Sequence, residues 1–178
     1  MKVERLKLFN CQYTAYPYPA DVDLKDFNAV TKLIKGLNTS DRIFHKHGIT
    51  LTYHNHQCEF IKHNGKTILD HIYEKTDSRY LQGEIDTCWV QCGGGNPVEW
   101  CRKLNKRLPL LHMKAYGIMP DDNRTFTETG YGNLNWCEII NVAEKSECKW
   151  FIVEQDQCPG DPVDSLKMSF KYRSNLCK

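Results

Sequence analysis

A chain of 178 residues that is 40% hydrophobic and 26% charged can fill one domain with a proper core. Its net charge of +2 is too small for a partner held mainly by electrostatics, so no nucleic acid is expected. No apolar run is long enough to span a bilayer, and the first residues lack the apolar core of a signal peptide, so no membrane partner is expected.

Strand and helix signals alternate along the chain. Leu6 to Tyr13 reads as a first strand, leading into the proline-broken loop Tyr16-Pro17-Tyr18-Pro19. Leu24 to His47 reads as a helix, with Phe27, Val30, Leu33, Ile34 and Leu37 on its apolar face and Gly48 closing it. Ile49 to Tyr53 is the next strand. Tyr80 to Asp86, Leu108 to His112 and Lys149 to Glu154 are three more, and each is followed by a helix with a capping signal. Asn96-Pro97 and Asp161-Pro162 place a capping side chain before proline at the first helical position. Asn135-Trp136-Cys137-Glu138 comes close to a capping box. Gly93-Gly94-Gly95 is a loop before a helix, and Gly130-Tyr131-Gly132-Asn133 is a turn into one, without phosphate-loop spacing.

This alternation implies parallel strands with right-handed crossovers. The expected fold is α/β, a partial (β/α) barrel of about five parallel units where a closed barrel has eight. Residues 1–178 read as a single domain without a linker. An open sheet has two unpaired edges, so self-association through them is expected.

The nine cysteines include no CxxC pair and read as free thiols in a reducing cytoplasm. Cys58, Cys92 and Cys158 fall near strand ends, but no sequence cue supplies an activating partner, so all three read as inert.

Four of the strand-like runs end on a metal-ligand side chain: His54, Asp86, His112 and Glu154. Parallel barrel strands all point one way, so these residues converge on the rim where barrel enzymes place their chemistry. Two imidazoles and two carboxylates suit a divalent cation such as Mn²⁺, Zn²⁺, Co²⁺ or Mg²⁺. His56 alternates onto the face of His54, Lys114 onto that of His112, and Asp156 onto that of Glu154. Asp86 is also placed to cap a following helix, and Lys114 could equally be a solvated charge at a strand end.

Tyr53 to Phe60 (Tyr-His-Asn-His-x-x-Glu-Phe), Ile85 to Val90 (Ile-Asp-Thr-x-Trp-Val), Leu111 to Lys114 (Leu-His-Met-Lys), Gly130 to Trp136 and Ile152 to Asp156 (Ile-Val-Glu-Gln-Asp) occur in this order along nearly the whole chain. Together they resemble the sugar phosphate isomerase/epimerase family of the xylose-isomerase-like TIM-barrel superfamily. The resemblance implies that His54, Asp86, His112 and Glu154 end the fifth to eighth barrel strands and hold the metal. It also implies that the chain lacks the first three β/α units.

The implied reaction is isomerisation or epimerisation of a sugar or sugar phosphate, by proton transfer next to a carbonyl through an enediolate. Glu154 would be the general base, with His56 or Lys114 positioning or protonating the oxygen. Dehydration of a keto sugar or inosose, and a catalytically silent fragment, are the alternatives. This chain departs from the resemblance in three places. His54 stands where ketose epimerases have a glutamate, Ala115 where the family has an aspartate, and Trp89 where a histidine is common. The last two speak against the endonuclease branch of the superfamily, which needs extra ligands.

Overall fold

The computed structural model describes residues 2–176, which fall into two compact units divided after Glu84. The first unit opens with helix α1 (Lys2–Leu8), followed by strand β1 (Tyr13–Tyr16). The segment Leu6 to Tyr13, expected as a strand, is therefore helix through Leu8, turn and loop over residues 9–12, and strand only from Tyr13. Leu6 and Leu8 alternate as in a strand, but Val3 and Leu6 are spaced three apart as in a helix. Glu4 in the first turn and Arg5 and Lys7 in the last suit the helix dipole. Asn10, at φ 52°, ends the helix, and Cys11 N–H donates to Leu6 C=O at 2.9 Å, the long bond of a Schellman turn.

Helix α2 (Phe27–Lys46) starts on Asp26, whose side chain accepts from Asn28 N–H at 2.8 Å. It buries Val30, Leu33, Ile34 and Leu37, one stripe at helical spacing, and packs on strand β2 (Thr50–His54). Gly48 follows the helix at φ 72°, which lets Ile49 N–H reach Phe44 C=O. A 3-10 turn (Cys58–Phe60) and the short antiparallel pair β3 (Lys62–His63) and β4 (Lys66–Thr67) then lead into α3 (Ile68–Lys75). Thr67 and Asp70 cap α3 reciprocally. Strand β5 (Leu81–Asp86) begins in this unit, and β1–β2 and β2–β5 pair in parallel, with His54 opposite Glu84.

In the second unit β5 runs directly into α4 (Thr87–Cys92) and α5 (Pro97–Lys103). Strand β6 (Leu110–Met113) is followed by an antiparallel hairpin, β7 (Ala115–Ile118) and β8 (Arg124–Thr127), that the sequence reading did not separate from it. Helix α6 (Trp136–Lys145), strand β9 (Trp150–Val153) and helix α7 (Pro162–Asn175) complete the unit. The three capping signals hold: Asn96, Asn135 and Asp161 accept from Val98, Glu138 and Val163 N–H respectively. The turn at Gly132 is set by a close approach. A Cβ there would meet Tyr116 C=O at 2.2 Å, the same oxygen that accepts from Asn133 N–H at 2.7 Å.

The core of this unit includes Leu108, Leu111 and Met113 and, from α6, Trp136, Ile139 and Ala143, all nearly inaccessible. Strands β6 and β9 pair in parallel. The main sheet has five parallel strands in the order β1-β2-β5-β6-β9, joined through helices, as expected for a partial β/α barrel. β1 and β9 are its edges.

Candidate metal centre

Within the second unit the ends of β5, β6 and β9 bring five charged or ligating side chains together. Asp86 is the last residue of β5 and also the N-cap of α4. Its Oδ1 accepts from Trp89 N–H at 2.9 Å. The capping reading of Asp86 therefore holds, and the cap engages one of its two carboxylate oxygens. Thr87 ties this corner to β6, its hydroxyl donating to His112 C=O and to Lys114 C=O at 3.1 and 2.9 Å. His112 Nδ1 is hydrogen-bonded to Glu154 Oε2 across the β6–β9 pairing.

Lys114 is 2% exposed, not a solvated strand-end charge. Its ammonium donates to Asp156 Oδ1 at 2.7 Å and lies 3.6 Å from Glu154 and 3.8 Å from Asp86. It also sits over the rings of Trp89 and Phe126, at 4.6 and 5.1 Å from their centroids. Burial works to lower its pKa, but the Asp156 hydrogen bond and the three carboxylate charges outweigh it and hold the ammonium above the ordinary lysine value. Asp86 is pushed up to about 7 by burial, against the Trp89 N–H and the charges of Lys114 and His112, which work to lower it. A buried carboxylate in this state gains from a cation beside it.

In the first unit His54 ends β2 and is buried. Its ring meets that of His56 edge-on at 4.9 Å, and Tyr18 stands edge-on to His56 at 5.0 Å. The His56 backbone is pinned by Glu59, which is fully buried and accepts from His56 N–H at 2.8 Å and from the Tyr53 hydroxyl at 2.9 Å. Cys58 also donates to Glu59, and burial together with that carboxylate pushes the thiol up to about 12, which makes it inert as expected.

His54, Asp86, His112 and Glu154 each offer one ligand atom, and these atoms lie within 4.8 Å of one another. Two atoms bound to one ion at about 2.0–2.3 Å are at most about 4.6 Å apart. The set is therefore a candidate group for a single ion. Its two nitrogens and two carboxylates fit a borderline divalent cation.

The sequence reading singled out these four residues, His56 and Lys114. It missed Trp89 and Phe126 as walls around the lysine, Thr87 as a tie, and Glu59 as the anchor of His56. Thr87 and Trp89 lie in the same short motif as Asp86, and Glu59 in that of His54, but no spacing rule gives the role of any of them.

No protein-family model and no curated protein matches the chain. Solved structures do. A sugar phosphate isomerase/epimerase from Parabacteroides distasonis superposes with a TM-score of 0.81 at 21% identity, over 99% of this chain and 62% of that one. A xylose isomerase-like TIM barrel protein from Mycobacterium smegmatis, solved in complex with magnesium, gives 0.73 at 13% identity, over 98% and 64%. The "probable 3-DHS dehydratase AsbF" from Bacillus anthracis gives 0.67 at 17% identity, over 98% and 69%. The likeness carries the fold: that of the xylose-isomerase-like TIM barrels, with this chain spanning 62% of the length of the first of these structures.

Proposed function

We propose that this chain, with its xylose-isomerase-like fold, carries the metal-binding half of a sugar isomerase or epimerase that moves a proton next to a carbonyl. The observation that carries the reading is the convergence of His54, Asp86, His112 and Glu154. A divalent ion held there supplies a Lewis acid for adjacent oxygens of a hydroxy-carbonyl sugar.

The chain's own groups do the rest. Glu154 is the general base, removing the proton from the carbon beside the carbonyl and returning it. Its carboxylate is oriented by His112 Nδ1 and faces the Lys114 ammonium. Lys114 is committed to Asp156 and enclosed by two rings. It therefore acts as a positioning cation, fixing the carboxylates around it rather than giving up a proton. His56, its backbone fixed by Glu59, orients the substrate oxygen.

Dehydration is the second reading. A single carboxylate base with a histidine at position 54, where ketose epimerases carry a second glutamate, serves elimination as well as two-sided transfer. It is also in keeping with the dehydratase named among the structural relatives. Deuterium exchange tests both readings. The metal-loaded chain is incubated with a panel of hydroxy-ketone sugars and their phosphates in deuterated buffer. NMR then reads label entering next to the carbonyl for isomerisation or epimerisation, or an enone signal for elimination. No exchange and no product on any of them, with metal bound, would leave the chain a silent fragment.

We also propose that copies of the chain associate. Among the described residues β1 and β9 each have a strand neighbour on one side of the main sheet and an open backbone edge on the other. Helix α7 turns Val163, Leu166 and Phe170 outward on one face, 54–69% exposed. The side it buries carries Ser165 and Ser169.

A further inference from the structure

Helix α4 carries two free thiols beyond its Asp86 cap. Cys88 and Cys92 lie one turn apart, and their sulfurs are 3.9 Å from each other. Cys88 is 1% exposed, while Cys92 is the last residue of the helix and half-buried. Arg124 stands on β8. The hydrogen bond shared with Cys88 and the Arg124 guanidinium draw the Cys92 thiol down to about 7, against burial, which works to raise it. The sequence reading of Cys92 as inert is thus corrected, because its two activating partners come from one helical turn away and from a distant strand.

We propose that Cys88 and Cys92 form a peroxide-reactive dithiol, in which Cys92 is the attacking thiol and Cys88 resolves it to an intrahelical disulfide. The Cys92 thiolate attacks one oxygen of hydrogen peroxide. The S–O bond forms, the O–O bond breaks and hydroxide leaves. The Cys88 sulfur then attacks the sulfenic sulfur. The S–S bond forms, the S–O bond breaks, and the departing hydroxide takes the Cys88 proton as water. Two thiols are oxidised by two electrons and one peroxide is reduced.

Backbone geometry allows the cross-link. Residues four apart in a helix have Cα atoms about 6 Å apart, inside the disulfide range. Drawing the two sulfurs together requires the last turn of α4 to open. That turn is followed by Gly93-Gly94-Gly95, and Gly94 stands at φ 78°, a conformation that glycine adopts without a Cβ penalty.

The test uses the full chain at pH 7. Cys92 should be alkylated by iodoacetamide roughly fivefold faster than the exposed Cys137. A half-ionised thiol has roughly tenfold more thiolate than an ordinary one, partly offset by its lower nucleophilicity. Arg124→Gln should slow Cys92 about threefold. Equimolar hydrogen peroxide should give a product 2 Da lighter, with peptide fragmentation placing the bond between residues 88 and 92 and dithiothreitol reversing it. In Cys88→Ser a 1,3-dione should trap the sulfenic acid on Cys92. Alkylation of Cys92 no faster than Cys137, a cross-link elsewhere, or absence of the dione adduct at Cys92 would each overturn the proposal.

Discussion

Replacing Lys114 by methionine removes one ammonium from between three carboxylates while keeping most of the buried volume. The nitrogen lies 2.7 Å from Asp156, 3.6 Å from Glu154 and 3.8 Å from Asp86. Removing one partner of a fully buried ion pair costs about 3–5 kcal/mol. Here Asp86 is fully buried, but Glu154 and Asp156 are 35% and 38% exposed, so water takes up part of the lost interaction. The expected loss is about 2–4 kcal/mol for the metal-free chain, or a fall in Tm of about 5–15 °C for a protein of this size. A divalent ion among the same carboxylates replaces the missing positive charge, so saturating Mg²⁺ should recover at least half of the loss. Urea unfolding followed by circular dichroism, with chelator and with excess Mg²⁺, measures both values. A loss below about 0.5 kcal/mol, within the range of an ordinary surface substitution, or an equal loss with and without metal, would refute the assignment of Lys114 as the counter-charge of the site.

Glu154→Gln should abolish deuterium exchange into any substrate the parent labels, by at least about 100-fold, while isothermal titration still detects a bound ion. His112→Ala should weaken that ion at least about tenfold. Ser165→Ala should cost about 1 kcal/mol by removing the hydrogen bond to the buried Glu128 at 2.7 Å. Ser165 holds the Glu128 carboxyl below its ordinary value, so this stability is present above the ordinary carboxylate range and is lost as pH falls through the depressed value. Unfolding curves of parent and variant should converge in acid, and a gap that persists there would contradict the ionised pair. Light scattering should find the parent chain associated at micromolar concentration. Glutamates at Val163, Leu166 and Phe170 should shift it toward monomer, and an unchanged mass would remove α7 from the interface.

Local chemistry was readable where one residue type does one job. Asn96, Asn135 and Asp161 cap helices because a short oxygen-bearing side chain next to a helix start has few other uses. His54, Asp86, His112 and Glu154 were readable as candidates because parallel strands all point one way, and the four form a group that could hold an ion. The opening segment was misread because Leu6 and Leu8 satisfy a strand period while Val3 and Leu6 satisfy a helical one. Only the left-handed turn at Asn10 decides between them. Lys114 could not be placed from spacing, since Asp156 is 42 residues away in sequence and the rings that enclose the ammonium come from α4 and β8. Cys92 was misjudged for the same reason: Arg124 belongs to a hairpin whose existence the sequence did not signal.

The metal assignment is tested most directly by loading the chain with Mn²⁺ and recording pulsed electron paramagnetic resonance. One ion per chain is predicted, with hyperfine couplings to two imidazole nitrogens. His54→Ala and His112→Ala should each leave one coupling. A Mn²⁺ spectrum showing solvent protons alone, or two nitrogen couplings that survive both substitutions, would contradict the account.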